Sequence, residues 1–495
     1  MLSFEEFKKL AAEYELIPVH RKFIADAETP VSMLAKFTEE DAVFLLESVE
    51  TPERFGRYSF LGLNPRGLFT IEYGKAYLAD AAGKRELASP SGRPLDALRQ
   101  FVEVHKVYAP PELPPLFGGA VGFLGYETVN QFEKLPLPAE APEQPESAFM
   151  LTDEVIVFDN QQHAISVVVC VRPGEYPTAV AAYEDAAARI EAIYHRAAAP
   201  AHAPEAKKCA MPELVAVTGR EKYMHMVEKA REYIRQGEAI QVVLSQKFQA
   251  DLTVEPLSLY RALRAINPSP YTFFMKFPGV TLIGSSPETL CKLENHVAIL
   301  RPIAGTRPRG KDAAADRAFA DEMLNSEKER AEHLMLVDLG RNDLGRIALS
   351  GSVQLKEFMT VERYSHVMHL VSSIEALPRE GVGPFELLRS AFPAGTLSGA
   401  PKVRAMELIH ELEGSPRNAY GGAAGYFSYS GNMDLAITIR TLSIHDGKIT
   451  VQVGAGIVFD SDPAAENEEC RNKSAAIRKA IELAANGLDL NSLEK

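Results

Sequence analysis

The sequence predicts an α+β fold with large, mostly antiparallel sheets. Strand-like and helix-like segments alternate irregularly along the 495 residues, without the repeating βα unit of a doubly wound fold. Apolar residues make up 46% of the chain and charged residues 24%, which is the composition of a globular protein. A chain of this length is expected to form two or three domains of ordinary size.

The domain boundary is predicted from a change in composition. Residues 195–212 read HRAAAPAHAPEAKKCAMP, which is rich in Ala and Pro and has no apolar periodicity, as is typical of a linker. We therefore predict a first domain over 1–200 and a second over 213–488. Short strand-like runs in the first domain, such as 155–158 and 165–171, lie between Pro- and Gly-containing turns and indicate a mixed α/β region.

The second domain is predicted to begin with a helix over 221–236 that ends at Gly237 and leads into a strand over 239–244. The helix is predicted because its apolar residues recur at helical spacing. Further helices are predicted over 312–347, 398–413 and 462–485, and further strands over 271–277, 366–374, 435–443 and 449–459.

Charge and cysteine content exclude several classes of function. Lysine and arginine together number 53 against 67 aspartates and glutamates, a formal charge of −14, so a nucleic-acid partner is not expected. The four cysteines contain no Cys-x-x-Cys pair, which favours free thiols in a reducing compartment. Because no apolar run is long enough to span a bilayer and residues 1–16 lack the apolar core of a signal peptide, we expect a cytoplasmic protein without a membrane partner.

Acidic side chains occur at helical spacing on two of the predicted helices. Glu466, Glu469 and Lys473 share one face of the last helix, and Glu329 and Glu332 form a similar pair on the long helix. If these four carboxylates converge, they provide the hard oxygen ligands that Mg²⁺ prefers. The alternative is that each pair is part of a solvated helix face.

Two predicted strands carry a titratable or charged residue. Period-two alternation places His369 on the less apolar face of its strand, where a neutral imidazole is either a general base or a hydrogen-bonded structural group. The same alternation turns Arg440 inward from the strand over 435–443. Because a buried unpaired arginine is unfavourable, we expect an anionic partner there, such as a substrate carboxylate.

Glycines and loop hydroxyls provide further candidate binding groups. Gly454 and Gly456 occupy alternate positions of a predicted strand, which either lets a ligand approach the backbone closely or marks a bulge. Loops containing Gly305-Thr306 and Thr396 offer amide and hydroxyl donors to an anion. Neither loop matches the phosphate-loop pattern, so phosphoryl transfer is not expected.

The chain contains an ordered set of short motifs in both halves. They are GSSPE at 284–288, RPIAGTRPRG at 301–310, AEHLMLVDLGRNDLGRI at 331–347, AFPAGTLSGAPKVRAMELI at 391–409, YGGAAGY at 420–426, GAGIVFDSDP followed by ENEECRNK, LLESVE at 45–50, GRYSFLG at 56–62 and NPSPY at 267–271. Taken in order, the motifs of the second half resemble those of the chorismate-utilising enzymes, and the last three resemble anthranilate synthase component I within that family. The resemblance implies a Mg²⁺-dependent, chorismate-binding fold in which two sheets pack face to face with helices outside.

The resemblance also implies roles for individual residues. Glu332 and Glu469 resemble the direct Mg²⁺ ligands, with Glu329 and Glu466 acting largely through water. The groups that resemble the chorismate-binding set are Gly305, Thr306, Tyr420, Arg440, Gly454, Ala455, Gly456 and Lys473.

Catalytic roles follow from the same resemblance. Glu288 is similar to the general acid that protonates the departing C4 hydroxyl, and His369, with Thr396 nearby, is similar to the base of the later elimination. These roles suit the chemistry, because hydroxide is a poor leaving group unless protonated and aromatisation requires removal of the C2 proton.

Two positions discriminate within the family. Isochorismate and salicylate synthases carry a water-activating lysine where this chain has Gln241, and aminodeoxychorismate synthases read PIKGT where this chain has PIAGT with Ala304. Ammonia is therefore the expected nucleophile, and anthranilate and pyruvate the expected products. The alternatives are an aminodeoxychorismate synthase component I that has lost its lysine, and a non-catalytic scaffold that senses chorismate or tryptophan.

The resemblance implies a partner and a regulator. None of the cysteines lies in a glutaminase nucleophile motif, so ammonia is expected from a separate glutamine amidotransferase subunit, component II, in a two-plus-two heterotetramer. Ser48, Pro270 and Tyr271 resemble the pocket where tryptophan binds and inhibits the family. Thr272 follows where a methionine is common, which alters one wall of that pocket. Alternatively, Ser48 is an ordinary polar residue and NPSP an ordinary turn.

Overall fold

The computed structural model describes residues 1–48, 56–136, 142, 144–200, 206–364 and 367–493. In these residues, strands form two twelve-stranded sheets. The pairings between named strands are antiparallel. The predicted fold class, α+β with two large and mostly antiparallel sheets, is confirmed.

Helices occur in both halves of the chain. The α-helices are α1 (Phe4–Leu10), α2 (Pro30–Ala35), α3 (Arg99–Val102), α4 (Ala179–Ala198), α5 (Arg220–Arg235), α6 (Pro256–Ile266), α7 (Ala313–Asn325), α8 (Glu327–Gly345), α9 (Pro384–Ala391), α10 (Lys402–Glu413) and α11 (Pro463–Ala485). Short 3-10 helices occupy Pro94–Leu98, Tyr126–Gln131, Pro173–Glu175, Gly395–Leu397 and Leu490–Leu493.

Strands of both halves contribute to the sheets. They are β1 (Ile17–Ile24), β2 (Val43–Glu47), β3 (Tyr58–Leu63), β4 (Gly67–Glu72), β5 (Lys75–Asp80), β6 (Gly83–Leu87), β7 (Gly119–Leu124), β8 (Ser147–Thr152), β9 (Glu154–Asp159), β10 (Ala164–Val171), β11 (Val215–Ala216), β12 (Gln241–Asp251), β13 (Tyr271–Phe277), β14 (Val280–Ser286), β15 (Thr289–Glu294), β16 (Val297–Leu300), β17 (Ile303–Pro308), β18 (Gln354–Arg363), β19 (Val367–Ala376), β20 (Gly399–Ala400), β21 (Ala423–Ser428), β22 (Met433–Ile437), β23 (Thr441–His445) and β24 (Lys448–Ile457).

The order of strands joins the two halves of the chain. The first sheet runs β1-β10-β9-β3-β2-β13-β14-β23-β24-β12-β11, with β20 on β12, and the second runs β17-β19-β16-β15-β22-β21-β7-β8-β4-β5-β6, with β18 on β19. The halves meet where β2 pairs with β13 and where β7 pairs with β21. Both predicted domains therefore contribute strands to both sheets. The domain boundary at the linker stays a prediction from the composition of the sequence. The linker's residues 201–205 lie outside the described part of the chain.

Side-chain alternation along the strands builds three apolar layers. On β13, Phe273 and Met275 pack into a core between the two sheets, whereas Phe274 packs into an outer core with helices α4, α5, α6, α10 and α11. The opposite face of the second sheet packs against α8 and α9 in a further core that contains Phe427 and Phe385. The sheets thus lie face to face with helices on their outer surfaces.

Several predicted elements differ in extent from those observed. The predicted helix over 312–347 is two helices, because Ser326 ends α7 and its hydroxyl oxygen accepts a hydrogen bond from the Glu329 amide at the start of α8. The predicted helix over 398–413 begins only at α10, after Pro401. The strand predicted over 271–277 coincides with β13, and the last helix with α11.

The strand predicted over 435–443 is also two elements. It is divided into β22 and β23 by residues 438–440, where Arg440 has a φ angle of 50°. The cause is topological, since β22 belongs to the second sheet and β23 to the first.

All four cysteines are free thiols, as predicted. Within the described ranges, no helix combines the length and apolar character that crossing a membrane requires.

Candidate active site

A cavity of about 330 Å³ lies where the chain crosses twice between the sheets. One crossing leads from β14 to β15 through Glu288, and the other leads from β22 to β23 through Arg440. The Ile437 amide donates a hydrogen bond to the Glu288 carbonyl oxygen at 3.0 Å, which holds the two crossings side by side. Leaving a sheet frees residues from the strand ladder, so their side chains can line a cavity.

Most of the predicted site residues line this cavity. They are Glu288, Gly305, Thr306, Glu332, His369, Thr396, Tyr420, Arg440, Gly454, Gly456, Glu466, Glu469 and Lys473. Two predicted residues do not line it. Ala455 is fully buried in the core between the first sheet and its helices, and Glu329 contacts Arg307 at 3.1 Å between Oε1 and Nη1.

Glu288 has the properties of a general acid. Its side chain is 8% exposed, and burial raises the pKa of its carboxyl group to about 8, although the hydrogen bond from Thr396 and the charge of Arg440 act in the opposite direction. The Thr396 hydroxyl donates to Glu288 Oε1 at 3.1 Å, so the structure pairs Thr396 with the acid. The carboxyl group therefore holds a proton near neutral pH.

His369 has the properties of a general base. Burial lowers the pKa of its imidazole to about 4, so the ring is neutral near pH 7. Its Nδ1 lies 3.1 Å from the Gly305 carbonyl oxygen and 3.0 Å from the Thr306 hydroxyl. Because a carbonyl oxygen only accepts hydrogen bonds, Nδ1 carries the ring proton, and the basic lone pair is on Nε2.

Two of the predicted cationic residues line the same cavity. Arg440 Nη1 lies 3.4 Å from Asn267 Oδ1, and the charge of Arg440 contributes to lowering the pKa of His369. Lys473 Nζ donates to the Gly454 carbonyl oxygen at 2.9 Å and lies 2.8 Å from Glu469 Oε1. The cavity is therefore suited to an anion that carries more than one negative charge.

The two glycines of β24 are required by the cavity wall. The register between β12 and β24 has no shift, so the glycines do not mark a bulge. A Cβ atom at Gly454 would lie 2.6 Å from the Tyr420 hydroxyl, and one at Gly456 would lie 2.6 Å from Gln241 Nε2. The glycines thus make room for two polar side chains at the wall.

The two positions that discriminate between nucleophiles also line the cavity. Gln241 and Ala304 are both buried, and neither carries an amine. A lysine at either position would place a further amine in or beside the cavity, and this chain has no lysine at either position.

Three carboxylates, those of Glu332, Glu466 and Glu469, line one side of the cavity. Burial and the negative charges of Glu329 and Glu469 raise the pKa of Glu332, and burial is also the main cause of the raised pKa of Glu466. Among the described residues, no three His, Cys, Asp or Glu side chains are close enough together to hold a metal ion as placed. Mg²⁺ takes only one or two protein carboxylates together with water and an anionic ligand, and it would relieve the repulsion between these groups, so the residues fit the ion.

Several lining residues were missed in the sequence. Gln452 lies on β24 two residues before Gly454, so its place on the same face could have been predicted from period-two alternation. Lys328 precedes Glu332 by four residues on α8 and could have been assigned to the same helix face. Leu336 carries no chemical signal in the sequence.

A second cavity, of about 320 Å³, brings together Ser48, Pro270, Tyr271 and Thr272. The Tyr271 hydroxyl donates to Asp434 Oδ1 at 2.8 Å. The Thr272 hydroxyl lies 3.2 Å from the Ser269 carbonyl oxygen. Residues 49 and 50 of the LLESVE motif lie outside the described residues.

Polar and apolar groups share this second cavity. Its charged lining residues are Glu47, Arg57, Lys292, Glu294 and Asp434, and its apolar lining includes Leu46, Phe60, Phe273 and Met275. A ligand with both an apolar body and charged groups of both signs fits such a lining.

Comparison with known proteins assigns the chain to a family. The family model described as chorismate binding enzyme matches residues 42–479. Anthranilate synthase component 1 of Acetivibrio thermocellus is 45% identical over 490 residues, which cover 97% of this chain and 98% of the relative. Anthranilate synthase component 1 of Pseudomonas putida is 44% identical, with the same coverage of 97% and 98%.

Solved structures agree with these relatives. The crystal structure of anthranilate synthase component I from Streptococcus pneumoniae TIGR4 has a TM-score of 0.78 and 37% identity, covering 85% of this chain and 92% of that one. A menaquinone-specific isochorismate synthase from Escherichia coli has a TM-score of 0.68 at 19% identity, covering 97% and 98%, and so shares the fold. The resemblance that the motifs predicted is confirmed: the chain belongs to the family of chorismate binding enzymes and, within it, to the group of anthranilate synthase component 1.

Proposed function

We propose that the chain is the aminating component of an anthranilate synthase, which converts chorismate and ammonia to anthranilate, pyruvate and water. The observation that carries the proposal is one cavity that combines the protonated acid Glu288 with the neutral base His369 and has no lysine at positions 241 and 304. An acid and a base are what amination and elimination require, and the absence of an amine at those positions leaves ammonia as the nucleophile.

Chorismate is a dianion, and the cavity offers groups that hold it. Arg440 and Lys473 supply positive charge, and the Tyr420 hydroxyl lies at the wall beside Gly454. Charge-assisted hydrogen bonds to the two carboxylates would fix the ring with its reacting atoms towards Glu288 and His369.

The first step is substitution. The nitrogen lone pair of ammonia forms a bond to C2, the ring double bonds shift, and the C4–O bond breaks. Glu288 donates its proton to the departing hydroxyl, which leaves as water. The proton that the new amine loses passes through solvent and restores the Glu288 carboxyl group. The product is aminodeoxyisochorismate. Thr396 orients the Glu288 carboxyl group by its hydrogen bond to Oε1.

The second step is elimination. His369 Nε2 accepts the C2 proton, the C–H electron pair forms the ring double bond between C2 and C3, and the C3–O bond breaks. The side chain departs as pyruvate after gaining a proton, and the ring becomes aromatic. The Gly305 carbonyl oxygen fixes the imidazole orientation by accepting from Nδ1.

Mg²⁺ is the cofactor that the cavity's acidic side would bind. Glu332 and Glu469 would hold the ion directly and Glu329 and Glu466 largely through water. When bound, Mg²⁺ supplies positive charge that neutralises the substrate carboxylate. With this cofactor the chain is a Mg²⁺-dependent lyase.

Partners and regulation complete the proposal. The component 1 name of the relatives supports a component 2, which we propose is a glutamine amidotransferase in a two-plus-two heterotetramer in the cytoplasm. Tryptophan is proposed as the ligand of the second cavity, since an apolar lining with charges of both signs fits an aromatic amino acid. Binding there would inhibit the first step of tryptophan biosynthesis from chorismate.

The test is a product assay on the purified chain with chorismate, Mg²⁺ and an ammonium salt. Anthranilate, followed by its fluorescence, is the expected product, and Glu288→Gln is the matched inactive control. Formation of 4-amino-4-deoxychorismate or isochorismate would contradict the assignment. Chorismate binding without turnover would instead support the non-catalytic scaffold.

A further inference from the structure

A small polar cavity adjoins the candidate active site. It has a volume of about 30 Å³ and shares two wall residues, Tyr420 and Gln452, with the large cavity. Thr438, Thr441 and Ser443 also line it, and each of their side chains is at least nine-tenths buried. A space of this size holds one or two molecules as small as water or ammonia.

Two of the residues that line this small cavity have a buried side-chain oxygen atom without a partner among the described residues. Asn418 Oδ1 and Thr438 Oγ1 are buried and have no hydrogen-bond partner within the described residues. Asn418 is 8% exposed and Thr438 is 1% exposed. Buried polar groups are normally paired, so the two oxygen atoms indicate a small hydrogen-bond donor that occupies the space.

The small cavity also leads towards the surface. Gln144 lines it and also lines a depression of about 190 Å³ formed with Glu72, Tyr73 and Pro145. Tyr73 is 80% exposed. The Ser443 hydroxyl donates to Gln144 Oε1 at 2.8 Å. Gln144 therefore borders both the surface depression and the small cavity, and Tyr420 and Gln452 border both the small cavity and the large cavity.

The lining discriminates between ammonia and ammonium. Among its described lining residues the small cavity has one charged group, Arg417, which is fully buried and lies 2.6 Å from Glu413 Oε1. None of the described lining residues is a carboxylate, so an ammonium ion would be buried there without an anionic partner, whereas a neutral molecule that donates hydrogen bonds is accepted. Neutral ammonia is also the form that can act as a nucleophile.

We propose that the small cavity is a transfer site for neutral ammonia between the surface at Gln144 and the chorismate cavity at Tyr420 and Gln452. The inference rests on the proposed function, because it requires ammonia to be the nucleophile and to come from another subunit. It adds the inner route of that ammonia and two oxygen atoms, Asn418 Oδ1 and Thr438 Oγ1, that accept hydrogen bonds from it.

The experiment uses the assembled enzyme with its glutaminase subunit and two variants. Thr438→Val removes one accepting oxygen with little change of shape, and Ser443→Leu fills the cavity. Thr152→Val is the matched control, since Thr152 is a buried threonine outside the cavity. Anthranilate is measured with glutamine and, separately, with ammonium, and glutamate release is measured with glutamine.

Both variants should form less anthranilate from glutamine and should show a higher ratio of glutamate released to anthranilate formed. Their activity with ammonium should be unchanged, because ammonium supplied in solution enters by the open side of the large cavity. An unchanged ratio in Thr438→Val would overturn the proposal and leave the cavity as a site for ordered water. Should Ser443→Leu fail to fold, Thr438→Val decides alone. If the wild-type enzyme makes no anthranilate from ammonium, the proposed function itself has failed.

Discussion

Burial acts on the pKa values of Glu288 and His369 in opposite directions, and this difference fits the acid and base roles proposed for them. Removal from water favours the uncharged form of each group, so the pKa of the Glu288 carboxyl rises to about 8 and that of the His369 imidazole falls to about 4. Between these values the acid is protonated and the base is free. One cavity thereby provides both kinds of proton transfer at neutral pH.

The first prediction follows from these two pKa values. The rate of anthranilate formation from chorismate and ammonium, corrected for the fraction of free ammonia, should fall on the alkaline side near pH 8 as Glu288 ionises. Glu288→Gln should lower kcat by about 10²–10⁴-fold and abolish this alkaline fall in the remaining activity. A Gln variant that keeps both the rate and the alkaline fall would remove Glu288 from the acid role.

The same carboxyl group also affects stability. Below its ordinary pKa of 4.5 it is protonated in both folded and unfolded chains and has no pH-dependent effect. Between 4.5 and about 8 the folded chain keeps a proton that the unfolded chain has lost, so this group lowers stability as the pH rises. Accordingly, Glu288→Gln should have a higher Tm than the wild type at about pH 9, with a difference that shrinks towards about pH 5. If the variant and the wild type have equal Tm values at both pH values, burial of the ionised Glu288 carboxylate does not lower the stability of the folded chain.

The third prediction concerns the acidic side of the cavity. Glu469→Gln removes one proposed Mg²⁺ ligand and should raise the Mg²⁺ concentration that gives half-maximal activity. Because Glu469 is exposed, the Tm measured without metal should stay near the wild-type value. Glu468→Gln, at the neighbouring exposed position outside the cavity lining, is the matched control. An unchanged Mg²⁺ titration for Glu469→Gln would remove this residue from the site.

At the scale of elements, the crossings between sheets explain which parts of the site could be predicted. The alternation along β24 placed Gly454 and Gly456 correctly on one face, because a regular strand keeps a period of two. The same reasoning was wrong for Arg440, which lies in a break between β22 and β23. Apolar residues continue on both sides of that break, so periodicity alone could not show that the chain changes sheets there.

The fourth prediction compares the two glycines of β24. A methyl group at Gly454 would meet the Tyr420 hydroxyl at 2.6 Å and the Leu244 carbonyl oxygen at 2.7 Å. Because Leu244 belongs to the backbone of β12, which cannot move away, Gly454→Ala should lower the free energy of unfolding by about 1–3 kcal/mol. The three atoms nearest to a Cβ atom at Gly456 all belong to the movable side chain of Gln241, so Gly456→Ala should leave the Tm nearly unchanged and raise the KM for chorismate.

Thermal unfolding and steady-state kinetics check both outcomes of this comparison. Gly174→Ala is the control, since a Cβ atom there meets nothing within 4 Å. Equal effects of Gly454→Ala and Gly456→Ala on Tm would contradict the distinction between a rigid and a movable neighbour.

At the scale of the whole molecule, local motifs could be identified in the sequence, whereas the pairing of strands that are distant in the chain could not be predicted from it. The order of motifs identified the family, because each motif is a short run of residues whose chemistry is visible in the sequence. That β2 pairs with β13 and β7 with β21 depends on contacts between strands about two hundred to three hundred residues apart, which leave no local pattern. Only the structure therefore shows that both sheets contain strands from both sides of the predicted linker.

The two large cavities are connected by hydrogen bonds through the first sheet. The Thr272 hydroxyl at the second cavity lies 3.3 Å from the Ser285 hydroxyl on β14. Asn267 Nδ2 donates to the Ser285 carbonyl oxygen at 3.2 Å, and Asn267 Oδ1 accepts from Arg440 in the candidate active-site cavity at 3.4 Å. A ligand that shifts β13 would act on Arg440 through three residues.

The last prediction tests this connection by linkage. Without ammonia, saturating chorismate should weaken tryptophan binding by the same factor, about 5–150-fold, by which tryptophan weakens chorismate binding. Ser285→Ala should reduce that factor, while Ser390→Ala, a buried serine elsewhere, should preserve it. Binding is measured by the indole fluorescence of tryptophan, which has no background because the chain contains no Trp. Undiminished coupling in Ser285→Ala would place the connection elsewhere, and absence of tryptophan binding would refute the proposed ligand of the second cavity.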